Sequence, residues 1–172
     1  GEFGPSNSAI TVQSEVVRTG AYALKVAVAA NATANLELRL TGTTTRSFFR
    51  GYLRIESLPS GRLTIARYMS STTLSGYLGV FLLADGRLAL GERGNVVATG
   101  TTPLTPGQWH CVEVAYACDN DTNVAQLRLD GVMEIEAADL SAAGTGPRNG
   151  HDRLYIGAFT GLPEPFTCYW DD

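Results

Sequence analysis

The chain has 172 residues, 44% of them apolar and 17% charged, which supports one full-sized hydrophobic core and excludes a disordered chain. The formal net charge of -4 disfavours nucleic acid and anionic membranes as partners. No apolar run approaches the ~20 residues that a bilayer-spanning helix requires, so membrane insertion is not expected.

Residues 1–4 (Gly1-Glu2-Phe3-Gly4) read as the remnant of an expression tag, and residues 5–172 as one domain cut from a longer protein. Leu36, Leu38 and Leu40 alternate with Glu37 and Arg39, the period-two pattern of a half-buried strand. The Gly/Thr-rich stretch 41–45 reads as a loop. Phe49, Leu53 and Ile55 form the next apolar row, with Phe48, Arg50, Tyr52, Arg54 and Glu56 opposite. Leu63 and Ile65 continue the pattern after Pro59-Ser60-Gly61. Leu78, Val80 and Leu82 lead to Asp85-Gly86, and Leu88 and Leu90 return, which predicts a hairpin with a two-residue turn.

The stretch 99–107 reads as a second loop, followed by a strand from Trp109 to Ala117. Ala125, Leu127 and Leu129 lead to Asp130-Gly131, and Val132, Met133 and Ile135 return in a second Asp-Gly hairpin. Ala137 to Ala143 is the one helix-like window. The last strands are Arg153 to Ala158 and Thr167 to Asp172. Roughly a dozen short strands without crossover helices predict an all-β antiparallel two-sheet β-sandwich. The three cysteines are an odd number. Cys111 and Cys118, if carried by one strand, sit roughly 23 Å apart and cannot bridge. Cys111 or Cys118 with Cys168, or three buried thiols, are the alternatives left open.

Five segments carry a resemblance. Arg18-Thr19-Gly20-Ala21-Tyr22-Ala23-Leu24-Lys25-Val26 resembles the opening strand of concanavalin A-like (laminin G-like) jelly rolls. Phe49 to Ile55, Leu104 to Val114, Leu127-Arg128-Leu129-Asp130-Gly131 and Tyr169-Trp170-Asp171-Asp172 resemble later blocks, in the same order. The resemblance covers nearly the whole chain and implies a jelly-roll β-sandwich of the concanavalin A-like lectin/glucanase superfamily. That superfamily holds lectins, carbohydrate-binding modules, glucanases, polysaccharide lyases and adhesion or phage domains, so the fold alone does not assign an activity.

Glucanases of this fold resemble one another in paired carboxylates on one strand, which act as nucleophile and acid about 5 Å apart. Glu134-Ile135-Glu136-Ala137-Ala138-Asp139 is the nearest string, but it follows a hairpin directly and reads as a solvated outer face. Alginate-lyase relatives resemble this chain in the fragments Glu37-Leu38-Arg39 and Gln108-Trp109-His110, while their late tyrosine motif is missing. His110 belongs to a block where histidine serves structure, and His151 beside Asp152 reads as a solvated loop residue. No nucleophile elbow or phosphate-cradling glycine loop is present.

A sugar site needs aromatic faces for stacking and fixed polar groups for hydroxyls. Arg50, Tyr52 and Arg54, with Arg39, Arg67, Tyr68, Tyr77 and Phe81, would share one concave sheet if their strands pair, a candidate groove for an acidic glycan. The competing reading pairs Arg39 with Glu37 and Arg54 with Glu56. Trp109 and Trp170 read as packing residues. Asp119, Asp121 and Asn123 alternate oxygens as a calcium loop does, without its sixth-position glycine or twelfth-position glutamate. Asp171-Asp172 is a second calcium candidate. No cofactor is required, though Ca2+ has these two candidate sites. The expected protein is a non-catalytic carbohydrate-binding or adhesion module, extracellular or on a cell or virion surface, with a glycan or polysaccharide as partner. Protein partners in a larger assembly, a scaffold domain without a sugar site and a polysaccharide-cleaving enzyme are the alternatives.

Overall fold

The structure is a computed structural model that describes residues 10–71, 77–118, 123–140 and 150–172. It contains thirteen strands and, among the described residues, no helix. The first sheet has seven strands in the order β1 (Ile10–Gln13), β2 (Ala23–Val28), β13 (Phe166–Asp171), β4 (Arg46–Ile55), β9 (Trp109–Cys118), β10 (Asn123–Leu129) and β11 (Val132–Asp139). The second has six, in the order β3 (Ala34–Thr44), β12 (His151–Ala158), β5 (Leu63–Met69), β6 (Tyr77–Leu82), β7 (Arg87–Glu92) and β8 (Asn95–Pro103). Every pairing is antiparallel, and the two sheets form the expected sandwich.

The apolar rows of the sequence become the core. Leu53 and Ile55 of β4, Val112 and Val114 of β9, and Leu127 of β10 face Leu78, Val80 and Leu82 of β6 and Leu88 and Leu90 of β7 across the interior. Alternation places them there because successive strand residues point to opposite sheet faces. Trp170 is buried within this core and Trp109 is half-buried. Cys111, Cys118 and Cys168 are three buried free thiols, so the disulfide alternative is not the one realised.

Turn chemistry separates the hairpins. Asp130 and Gly131 both have positive φ (52° and 82°), as a two-residue turn of the favoured hand demands. At Asp85-Gly86 only Gly86 is left-handed (φ 86°). There Gly86 N–H donates to Leu83 O (3.0 Å) and Leu83 N–H to Arg87 O (2.9 Å), so the loop is one residue longer than expected. A two-residue turn that the sequence reading missed lies at Arg93-Gly94, with φ of 49° and 88°.

Both supposed Gly/Thr loops are largely strand. β3 runs through 41–44, and β8 occupies 95–103. Each is an edge strand in which Thr41, Gly42, Thr43, Thr101 and Thr102 are exposed, although Gly100 is buried. The helix-like window is overturned up to Leu140, since β11 reaches Asp139 and Leu140 is not helical; residues 141–143 lie outside the described residues. No helix among the described residues is long and apolar enough to cross a membrane.

Glycine is required where Phe81 lies on the outer face of β6. A Cβ on Gly79 would come within 2.6 Å of the Phe81 ring. Gly79→Ala is expected to cost about 1–2 kcal/mol by displacing that ring, measurable as a lower urea midpoint at unchanged m value.

Candidate functional site

Topology divides the residues that the sequence suggests for one groove. Arg50, Tyr52 and Arg54 belong to β4, in the seven-stranded sheet. Arg39, Arg67, Tyr68, Tyr77 and Phe81 belong to β3, β5 and β6, in the six-stranded sheet. The strands do not pair, so the single shared face is corrected to two separate ones.

The outer face of β4 is charge-paired. Arg50 lies 3.8 Å from Glu113 and donates to Tyr52 Oη (3.1 Å). Arg54 pairs with Glu56, just past the end of β4, at 3.2 Å. The guanidinium of Arg18 lies 3.3 Å from the centre of the Tyr52 ring, covering the surface a sugar would stack on.

The six-stranded sheet places Tyr68 differently from the sequence phase. Simple alternation from Leu63 and Ile65 would turn Arg67 inward and Tyr68 outward. A bulge between Thr64 and Ala66 reverses the phase. Arg67 therefore points outward with Gly79 of β6, while Tyr68 points inward and is 1% exposed. Tyr68 is a core residue packed on Tyr116 and His151, not a stacking platform. Phe81 faces outward yet is fully buried, with the Arg62 guanidinium 5.1 Å above its ring. The backbone of Tyr77 pairs with Met69 at the end of β6.

The outward residues of β3, β12 and β5 form a continuous row. Register sets Arg39 opposite Arg153, Glu37 opposite Tyr155, and Tyr155 opposite Arg67. Glu37 accepts from Arg39 at 2.7 Å and pairs with Arg153 at 3.3 Å. Its hydrogen bond from Arg39 and the charge of Arg153 hold the Glu37 carboxyl below the ordinary glutamate range. Arg153 also donates to Tyr155 Oη (3.3 Å). Tyr155 meets Phe159 edge to face at 6.2 Å, and the Arg67 guanidinium lies 4.2 Å from the Phe159 ring centre. The row thus offers three guanidiniums and two aromatic rings around one carboxylate. Arg153, Tyr155 and Phe159 were not among the site residues read from the sequence. Their signal was the alternation of Arg153 and Tyr155 within a recognised strand, whose place beside β3 and β5 only the topology reveals.

The remaining candidates have structural duties. His110 Nδ1 lies 2.7 Å from Asp130 Oδ2, and its Nε2 accepts from the Thr105 backbone N–H (3.0 Å). This assigns the proton to Nδ1 and ties the 104–108 loop to the β10–β11 turn. His151 is not a solvated loop residue but is fully buried, between Cys118 Sγ (3.3 Å) and Ser47 Oγ (2.8 Å). Glu134 is not on a solvated outer face either, because it accepts hydrogen bonds from Thr101 and Thr102 of β8.

Of the first calcium candidate, Asp119 and Asp121 lie outside the described residues. Asn123 is buried and its Oδ1 accepts from Tyr116 Oη (2.8 Å). Asp171 accepts from the backbone N–H groups of Arg18 (2.7 Å), Thr19 (3.2 Å) and Asp172 (2.9 Å). Among the described residues, no group of three or more His, Cys, Asp or Glu side chains is placed to hold a metal ion.

No family model and no curated protein matches the chain. Solved structures do match its fold. "Cellulose induced protein, Cip1" has 15% identity and a TM-score of 0.73, over 95% of this chain and 83% of that one. The carbohydrate-binding module CBM66 from Bacillus subtilis has 11% identity and a TM-score of 0.58, over 96% and 93%. The catalytic domain of an endo-1,3-beta-glucanase (laminarinase) from Thermotoga petrophila has 11% identity and a TM-score of 0.62, over 96% and 79%. The fold is thus a two-sheet jelly-roll β-sandwich, seen also in a carbohydrate-binding module and in the catalytic domain of a glucanase.

Proposed function

We propose that this domain is a non-catalytic carbohydrate-recognition module of a secreted or surface protein. Its ligand is an acidic glycan, held along the outer face of β3, β12 and β5. The observation that carries this reading is the row from Arg39 through Glu37, Arg153 and Tyr155 to Phe159 and Arg67. Aromatic rings supply apolar faces for sugar rings, and guanidinium forks match uronate carboxylates or sulfates in shape and charge. The fold match to a carbohydrate-binding module, over 93% of that module's length, supports the same reading.

The carboxylates of these strands argue for binding without catalysis. β3, β12 and β5 carry only Glu37 and Asp152. Glu37 is shared by two arginines. Burial would raise the Asp152 carboxyl, but hydrogen bonds from the Ser71 hydroxyl and backbone N–H outweigh it and lower it overall. Both are therefore poorly suited to act as a general acid near neutral pH.

Calorimetric titration with a polyuronate and with a neutral glucan tests the reading. Polyuronate is expected to bind in preference, with affinity that falls as salt is added. Arg153→Ala and Tyr155→Ala should each weaken it about tenfold, or ~1.4 kcal/mol. Arg54→Ala, on the other sheet, should leave it unchanged. Equal binding of both polymers, or indifference to Arg153 and Tyr155, would overturn the assignment.

A further inference from the structure

We infer that Glu37 is a built-in stand-in for the ligand's anionic group, holding Arg39 and Arg153 until a uronate carboxylate takes its place. This rests on the acidic-glycan reading and adds to it a device that sets how strongly the site binds. Register places Arg39 of β3 directly opposite Arg153 of β12. Like charges so placed repel, and the pair is stabilised by an anion between them. The chain supplies one itself. Residues two apart on a strand share a face, so Glu37 stands beside Arg39 on the outer side of β3.

Its contacts are those that a bound carboxylate would make. One oxygen, Oε1, serves both guanidiniums, at 2.7 Å from Arg39 Nε and 3.3 Å from Arg153 Nη1. A guanidinium grips a carboxylate best through two parallel N–H groups, and Glu37 already takes the Nε–H of Arg39. The hydrogen bond from Arg39, the charge of Arg153 and the Tyr155 hydroxyl together favour the ionised form of Glu37. These are the same donors that the row offers to a glycan.

Charge balance makes the exchange consequential. Asp152 Oδ1 lies 3.9 Å from Arg153 Nε, so two acids neutralise the two opposed arginines. A ligand carboxylate that enters beside Glu37 meets repulsion from it. One that displaces Glu37 swaps like for like and gains little at this pair. The surplus then comes from a second ligand carboxylate one strand further on, at Arg67 of β5, whose guanidinium lies 4.2 Å from the Phe159 ring centre. Displacement is feasible because the cluster opens to water: the Arg39 side chain is 73% exposed and that of Glu37 23%. Ion pairs in such surroundings contribute little to stability, so the fold does not depend on keeping this one closed.

Calorimetric titration of Glu37→Gln with polygalacturonate at pH 7 tests this. Glutamine keeps an acceptor oxygen for Arg39 and Arg153 and removes only the charge. The variant should bind about tenfold more tightly than the wild type, and its affinity should fall more steeply with added salt. Glu56→Gln makes the same change in net charge beside the other sheet, where Glu56 pairs with Arg54, and should leave affinity unchanged. If Glu37→Gln binds no more tightly while Arg153→Ala still weakens the wild type, the stand-in is overturned and the glycan reading holds. An equal gain in Glu56→Gln also overturns it, because net charge then explains the effect. If neither the wild type nor Glu37→Gln binds the polymer, both readings fall.

Discussion

Acidification from pH 6.5 to about 4 is expected to remove about 3 kcal/mol of folding stability through His151 alone. Burial between the sheets pushes this imidazole down to about 4, against a smaller opposing pull from Asp152. Its neighbours are neutral or weakly polar: Ser47 of β4, Tyr68 of β5, and Tyr116 and Cys118 of β9. The buried carboxylate of Glu92 in β7 acts on Tyr116 in the same region. A neutral ring can donate to one of Ser47 and Cys118 and accept from the other, whereas an imidazolium would need two acceptors, and a thiol is a weak one. Between these pH limits the unfolded chain binds the proton and the folded chain does not, so stability falls as pH falls. Below about 4 both forms are protonated and this loss is complete. Urea midpoints measured from pH 7 to 4 should show the fall. His151→Phe should be less stable at pH 7, because it abandons Ser47 and Cys118, but should lose most of the slope. Equal slopes in both proteins would show that another group carries the acid response.

Which side of a sheet a residue faces was legible in the sequence; which sheet a strand joins was not. Leu53, Val80, Leu127 and their rows lie in the core because alternation reports facing directly. Nothing in that alternation separates β4 from β3 and β5, since each has the same apolar-inward pattern and sheet membership depends on long-range pairing. Arg50, Tyr52 and Arg54 were therefore grouped with Arg39 and Arg67, although they lie on the other sheet. Tyr68 failed for a local reason. One extra residue at the β5 bulge reverses every side chain after it, and Ile65, the extra residue, reads in sequence as one more inward apolar position after Leu63. The turns divide similarly. Asp130-Gly131 behaves as its dipeptide indicates, whereas the backbone hydrogen bonds at Leu83 lengthen the Asp85-Gly86 loop by one residue. His151 was misread because burial comes from strands distant in sequence, which a lone His-Asp pair does not announce.

Replacing Glu134 with alanine is expected to cost about 2 kcal/mol, because one carboxylate joins the edges of both sheets. Glu134 belongs to β11, at one edge of the seven-stranded sheet, and its acceptors engage β8, at the edge of the six-stranded sheet. Oε2 accepts from Thr101 N–H (2.5 Å), Thr101 Oγ1 (2.9 Å) and Thr102 N–H (3.0 Å), and Oε1 from Thr102 Oγ1 (2.5 Å). Gly100 permits this approach, since a Cβ there would lie 3.0 Å from Oε2. Burial alone would raise this carboxyl, but the four bonds outweigh it and bring the group down to about 2. Water reaches the site, which reduces the energetic value of that shift. The contribution is present above the unfolded value of 4.5 and is lost as pH falls towards 2, a second acid limb below that of His151. Glu134→Gln keeps one acceptor oxygen and should lose about half as much as Glu134→Ala. Glu136→Ala, at an exposed position two residues on, should change stability by less than about 0.5 kcal/mol. Denaturation of the three variants separates a clasp from ordinary surface charge. If Glu134→Ala matches Glu136→Ala, the edges do not depend on this carboxylate. If the amides of Thr101 and Thr102 exchange faster while global stability holds, the clasp governs local opening of β8 and not the fold as a whole.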